Sequence, residues 1–156
     1  MTVRFTPGRG NDRVFGRIEG LEKLTRKGLR RGMFKAGQAL ISEASREILK
    51  GTKTGIVYIR RDRAGRRRRH LSSAPGETHA NLSGMLRRSL SYQLHGATEI
   101  EFGYGVSSGK SAPDYAGWVE FGTTKMRARP SLGNALRSQQ GNLTEHFERG
   151  ILKELK

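Results

Sequence analysis

The chain has 156 residues and no cysteine, which excludes disulfides, thiolate catalysis and cysteine-based zinc sites. Lys and Arg outnumber Asp and Glu by 30 to 14, and 34% of residues are apolar, so one domain with a modest core is expected, facing an anionic partner or an acidic neighbouring subunit. The basic excess is uneven: residues 1–80 hold 20 basic against 7 acidic side chains, and residues 81–156 hold 10 against 7.

No apolar run approaches the roughly 20 residues that span a bilayer, and the start, MTVRFTPGRG, lacks the apolar stretch of a signal peptide. The expectation is a protein made and used in the cytoplasm, with no membrane partner. Residues 1–12, with Pro7, Gly8 and Gly10, read as a flexible N-terminal arm. Val14, Gly16 and Ile18 alternate with Arg13, Phe15 and Arg17 as a short strand.

From Glu19 the period changes. Ile18, Leu21, Leu24, Met33, Ala36, Gly37, Leu40, Ile41, Ala44 and Ile48 recur at helical steps, and Gly51 ends the run. Gly28 and Gly32 each cost roughly 1 kcal/mol inside a helix, so a short helix, a bend and a long helix from about Leu29 are expected.

Residues 55–73 predict a β-hairpin. Ile56 to Ile59 have strand character, Asp62 to Gly65 turn the chain, and His70 and Leu71 lie on the return strand. The tip carries Arg60, Arg61, Arg63, Arg66, Arg67, Arg68 and Arg69. These are the candidate contacts with the DNA backbone, through phosphates rather than base edges, the alternatives being a loop that docks on acidic patches of a neighbour or one that only solubilises the chain.

A loop follows over 72–81. Ser83 is positioned to cap one helical turn around Leu86, and Leu90, Tyr92 and Leu94 then alternate as a strand. After a turn at Gly96 to Thr98, Ile100, Phe102, Tyr104 and Val106 alternate as its antiparallel partner. Asp114 is placed to cap a short helix whose Tyr115, Trp118, Val119 and Phe121 face the sheet as a plug, with Gly122 as its stop. Pro130 opens a final helix with a stripe of Leu132, Ala135, Leu136, Leu143, Phe147, Ile151 and Leu155, weakened at Gly141 and Asn142. The sum is a single α+β domain over 13–156: a small antiparallel β-sheet packed by a long N-terminal-half helix and a C-terminal helix, with a protruding basic hairpin.

Catalytic readings find little support. GYGVSSGKS, 103–111, has Tyr104 where a phosphate-binding loop needs its first glycine, and Pro113 opposes the helix that should follow. His70, His79, His95 and His146 lack ligand spacing, and Glu99 and Glu101 lie on a solvated strand face. No catalytic residue, metal, cofactor or small-molecule substrate is expected. Glu120, beside Arg127 and Arg129, reads as an ion pair holding a loop, with a buried acid as the alternative.

Five stretches in order are Gly20-Leu21-Glu22-Lys23-Leu24, SAPGE (73–77), SGMLRRSL (83–90), YAGWVEFGT (115–123) and ARPSLGNAL (128–136). Together they resemble the head-tail connector, or neck, proteins of long-tailed phages and prophages, the tail-completion family typed on the tenth gene product of a lambdoid coliphage. Departures from that pattern are Ser83 for threonine, Ser131 for phenylalanine and Gly133-Asn134 for a run into Pro-Ala. The resemblance implies a non-enzymatic virion protein, assembled in the host cytoplasm as a homo-oligomeric, six-fold ring with a DNA-conducting lumen. Implied partners are the head-closing ring, the tail terminator and the tail tube. It assigns Tyr115, Trp118, Glu120, Phe121, Gly122, Thr123, Arg129 and Pro130 to packing and assembly. A tail terminator ring and a free basic nucleic-acid-binding module are the alternatives.

Overall fold

The computed structural model describes residues 12–156, with side chains from residue 16 onward. In chain order it has helix α1 (Asp12–Lys50), a hairpin of β1 (Val57–Arg61) and β2 (Arg67–Leu71), and α2 (Met85–Ser89). A second hairpin of β3 (Leu90–His95) and β4 (Glu99–Tyr104), then α3 (Ala116–Phe121) and α4 (Leu132–Leu155), complete it. The fold is α+β, with two separate two-stranded antiparallel sheets. The expected arm lies outside the described residues except for Asp12, where α1 begins.

Helix α1 corrects two expectations. Residues 13–18 are helical rather than extended, and no break occurs at Gly28 or Gly32, so 39 residues form one helix of about 58 Å at 1.5 Å per residue. The reason is tertiary. A Cβ on Gly28 would lie 2.7 Å from the Ile151 Cα, and one on Gly32 would lie 2.7 Å from the His146 carbonyl oxygen. Gly150 answers from α4, where a Cβ would meet the Gly28 oxygen at 2.4 Å. The three glycines let two helix backbones touch, and the packing gained over that contact outweighs their low helix propensity.

Helices α1 and α4 run antiparallel. At one end Glu154 pairs with Lys27 at 2.8 Å and with Arg31; at the other, the Ser138 hydroxyl donates to Glu43 at 3.1 Å. Arg46 grips the same Glu43 and holds its carboxyl below the usual range. Met33, Ala36 and Leu40 are buried along α1, and at this second end Ala44, Ile48, Leu90 and Ala135 are buried together with Ile41, Tyr104 and Leu132 against them. Gly141 and Asn142 leave α4 unbroken. Its apolar stripe is narrower than expected, because Leu136 and Leu155 are exposed. Ile18, Leu21 and Leu24 are exposed as well, since α1 runs on past the last turn of α4.

The β3–β4 pair follows the expected alternation, with Tyr92 opposite Phe102 and Leu94 opposite Ile100. It lies on α1 at Gly37, where a Cβ would fall 2.4 Å from the Tyr92 ring and 2.8 Å from Ile100 Cδ1. Phe34 meets the Tyr92 ring edge-on at 5.9 Å. Two caps differ from expectation. Gly84, with φ 73°, is the N-cap of α2, while the Ser83 hydroxyl accepts only a long 3.4 Å bond from the Met85 N–H. Helix α3 starts after Tyr115, and Asp114 makes no capping bond.

Two glycine substitutions test whether backbone contact with α4 accounts for the glycines inside α1. Gly32→Ala should destabilise by about 1–3 kcal/mol in urea denaturation, its propensity gain overridden by collision with α4. Gly20→Ala, with nothing within 4 Å of its Cβ, should stabilise by about 0.5–1 kcal/mol. Equal effects at the two positions would remove the close-contact explanation.

Candidate functional site

The arginine hairpin forms where the sequence places it. Its register sets Tyr58 against His70, Ile59 against Arg69, Arg60 against Arg68 and Arg61 against Arg67. Two directly opposed Arg pairs repel, and one acid at the turn offsets part of this. Asp62 Oδ1 accepts from the N–H groups of Ala64 at 3.0 Å and Arg66 at 2.9 Å. Its Oδ2 lies 3.2 Å from Arg66 Nε and 3.3 Å from Arg68 Nε. The Arg66 N–H, with the other donors, holds the Asp62 carboxyl below its ordinary range. Among the described residues, Arg60, Arg61, Arg63, Arg67 and Arg69 have no acidic partner, and β1 is exposed along its whole length. The ribbon thus presents unneutralised guanidinium groups beside exposed Ile59 and Val57.

The stretch from Tyr115 to Pro130 reverses the expected plug. Trp118 is 59% exposed and Phe121 84%, and Tyr115 is also exposed, while Ala116 and Glu120 are buried. The sheet face that was to receive the aromatics is covered by α1 at Gly37, so a six-residue helix turns its small and acidic side inward instead. Glu120 makes no ion pair with Arg127 or Arg129 among the described residues. Its Oε2 accepts from the Ser131 N–H at 2.9 Å and hydroxyl at 3.2 Å, and its Oε1 accepts from the N–H groups of Leu132 and Gly133, both at 3.0 Å. A carboxylate from α3 therefore caps α4, where free N–H groups and the helix dipole favour negative charge. Tyr104 donates to or accepts from the Ser131 hydroxyl, and burial, aided by the Glu120 charge, pushes the Tyr104 hydroxyl up.

The rest of the stretch is closed by backbone bonds. Gly122 takes φ 79° and donates to the Trp118 carbonyl at 2.9 Å; a Cβ there would lie 2.7 Å from the Met126 oxygen. Thr123 ties back to Met126, its N–H donating to the carbonyl at 2.7 Å. The Arg129 N–H donates to Val119 at 2.8 Å, and Pro130 sits one residue before the N-cap Ser131 rather than inside the first turn.

The loop SAPGE docks on this unit. The Gly76 N–H donates to the Ala128 carbonyl at 3.0 Å. Glu77, whose role the sequence reading missed, takes the Thr54 hydroxyl at 2.6 Å, the Thr54 N–H at 2.9 Å and the Ala74 N–H at 2.8 Å; these bonds hold its carboxyl low. Next to it His79 is buried edge-on to Tyr104, with ring centroids 6.3 Å apart and neither ring nitrogen hydrogen-bonded within the chain. Burial, then the charges of Lys53 and Arg129, lower its pKa to about 4. No sequence pattern marks this histidine.

Lys110, in the stretch compared above with a phosphate loop, donates its amine to the Leu90 carbonyl at 2.7 Å. His95 pairs with Glu101 at 3.1 Å. Among the described residues, no group of three His, Cys, Asp or Glu side chains is placed to hold a metal ion, and no helix is long and apolar enough to cross a membrane. No protein-family model, curated protein or solved structure matches this chain.

Glu120→Ala should cost about 2–4 kcal/mol, because three N–H groups and a hydroxyl lose their acceptor. Glu120→Gln, which keeps one carbonyl oxygen, should cost less, and Arg127→Ala should be near neutral in the same denaturation series. A cost for Glu120→Ala no larger than for Arg127→Ala would rule out the capping role. His79 gives a pH dependence. Its folded pKa lies below its unfolded one, so its contribution is complete above about pH 6.5 and is lost as pH falls towards 4. Relative to His79→Phe, the wild type should lose up to roughly 3 kcal/mol across that window; parallel stability curves for the two proteins would contradict a buried neutral imidazole.

Proposed function

We propose that this chain is a structural subunit of a long-tailed phage virion, forming the neck ring that completes the tail and joins it to the head. The observation that carries the reading is the outward placement of Trp118 and Phe121 on a helix anchored from its other side by Glu120. Large aromatics on a rigid surface are contact groups awaiting a partner rather than core. In support, three of the stretches that carry the neck-protein resemblance meet in space. Gly76 bonds Ala128, Arg129 bonds Val119, and Glu120 caps the helix after Pro130.

In this reading Tyr115, Trp118 and Phe121 form part of the seam between subunits, and Gly122, Thr123, Arg129 and Pro130 shape the loop behind it. The Arg60 to Arg69 hairpin faces a DNA-conducting lumen or an acidic ring beside it. The opposed pairs Arg60–Arg68 and Arg61–Arg67 gain most from an anionic partner, which also favours a second reading as a free basic nucleic-acid-binding module. That reading leaves the exposed aromatic surface without a purpose. A tail terminator ring would use the same surfaces towards different neighbours.

Native mass measurement and electron imaging of the purified chain, alone and with tail tubes, test the reading. Closed rings are expected, and Trp118→Ser with Phe121→Ser should abolish them with no drop in thermal midpoint. A wild-type chain that stays monomeric with tail tubes while binding duplex DNA tightly would overturn it in favour of the module. For the hairpin, Arg63→Ser, Arg67→Ser and Arg69→Ser together spare the Asp62 turn. They should lower the slope of log affinity for duplex DNA against log salt by about 2–3. An unchanged slope would remove DNA from the hairpin's partners.

A further inference from the structure

A cleft of about 400 Å3 opens between one side of the arginine hairpin, the loop after His79 and the start of α3. Arg60 and His70 line it from the hairpin, Leu82 from the loop, Tyr115 from the N-cap of α3, half-buried Arg129 from the segment before α4, and His79 from the interior. Three features set it apart from a surface crevice. Among the described residues that line it, none is acidic. His79 is 95% buried, being 5% exposed, yet neither ring nitrogen has a partner. Arg129 Nε is also buried and unpartnered, and no carboxylate pairs with this guanidinium among the described residues.

Unpartnered buried donors are rare in folded chains because each forfeits its hydration. Here they stand beside cations. Burial, and after it the Lys53 and Arg129 charges, oppose protonation of His79; Lys53 is answered by Glu77 and Glu47, so the uncompensated positive charge beside the ring is that of Arg129. Leu82, Met85, Tyr115 and Val119 meanwhile give the cleft apolar walls. A ligand suited to both features carries an anionic group next to an apolar one.

We propose that this cleft is a receptor site for an acidic peptide segment of a partner protein, taking a carboxylate side chain towards His79 and Arg129 and its apolar neighbour against Leu82 and Tyr115. A volume of about 400 Å3 suits two or three side chains, whereas the phosphates of a duplex lie on a convex surface that meets the exposed hairpin tip more readily than a recess. A bound carboxylate accepts hydrogen bonds from the imidazole and the guanidinium, and its charge favours protonation of the ring. Arg60, one pair from the hairpin turn, closes the positive rim. The inference does not rest on the neck reading and holds for any partner that carries such a segment.

The test follows histidine ring resonances of the 15N-labelled chain during titration with three probes. These are a capped Gly-Glu-Phe-Glu-Leu-Gly peptide, its counterpart with Gln for Glu, and inorganic phosphate. The acidic peptide should shift His79 and raise its pKa by one unit or more from about 4, leaving His95 and His146 unmoved. The Gln peptide should bind at least tenfold more weakly. Arg60→Ser and Arg129→Gln should each weaken the acidic peptide about tenfold. If Arg129→Gln fails to fold, the exposed Arg60→Ser carries the comparison alone. Equal binding of the Gln peptide would reduce the cleft to an apolar groove, and equal action of phosphate would make it a general oxyanion pocket; either result overturns the proposal. So would peptide binding that leaves His79 unshifted or survives Arg60→Ser unchanged. Native mass of the same sample keeps the two readings apart, since a monomer that binds the peptide through His79 retains this site and loses the ring.

Discussion

One carboxylate holds the junction between α3 and α4 together. Glu120 projects from a helix of only six residues and accepts hydrogen bonds from the first N–H groups of α4 at Ser131, Leu132 and Gly133. A helix N-terminus presents several unpaired donors and a partial positive charge, so the acid is stable in a buried place without a basic partner. Because Glu120 points inward, Trp118 and Phe121 on the remaining sides of the helix point outward. Buried acid and exposed aromatics are two results of one orientation.

That junction also assembles segments far apart in the chain. The turn at Gly122 and Thr123 returns the backbone to Arg129, Ala128 receives the Gly76 N–H, and Glu77 reaches back to Thr54 beyond the hairpin. The base of the arginine ribbon is therefore tied, through one loop, to the start of α4. The ribbon itself has little packing of its own, and its like-charge pairs make it a poor structure in isolation. Anchored at its foot and bare at its tip, it has the form of a contact arm.

The scaffold beneath is simple. Two antiparallel helices approach until their backbones touch at Gly28, Gly32 and Gly150, and the buried apolar residues run from Met33, Ala36 and Leu40 on α1 to the cluster of Ala44, Ile48, Leu90 and Ala135. A core this small leaves many large side chains outside, among them Ile18, Leu21, Trp118 and Phe121.

The sequence by itself determined the α+β class, the two long helices, the basic hairpin with its Asp62 turn, and the antiparallel pair of β3 and β4. Each is written in local terms: a period of 3.6 or 2, a turn residue, a cluster of charge. Tertiary structure decided the rest. Gly28 and Gly32 read as breaks because propensity counts the cost of a glycine and is blind to a helix pressed against it. Tyr115, Trp118 and Phe121 read as core because apolar character names a preference for burial, while the available surface had already gone to α1 at Gly37. Glu120 read as an ion pair because its neighbours in sequence are arginines, whereas its partners in space are backbone N–H groups, which leave no mark in a sequence. His79 carries no local signal at all. Its burial without a partner follows from the meeting of four separate segments, and only the folded chain brings them together.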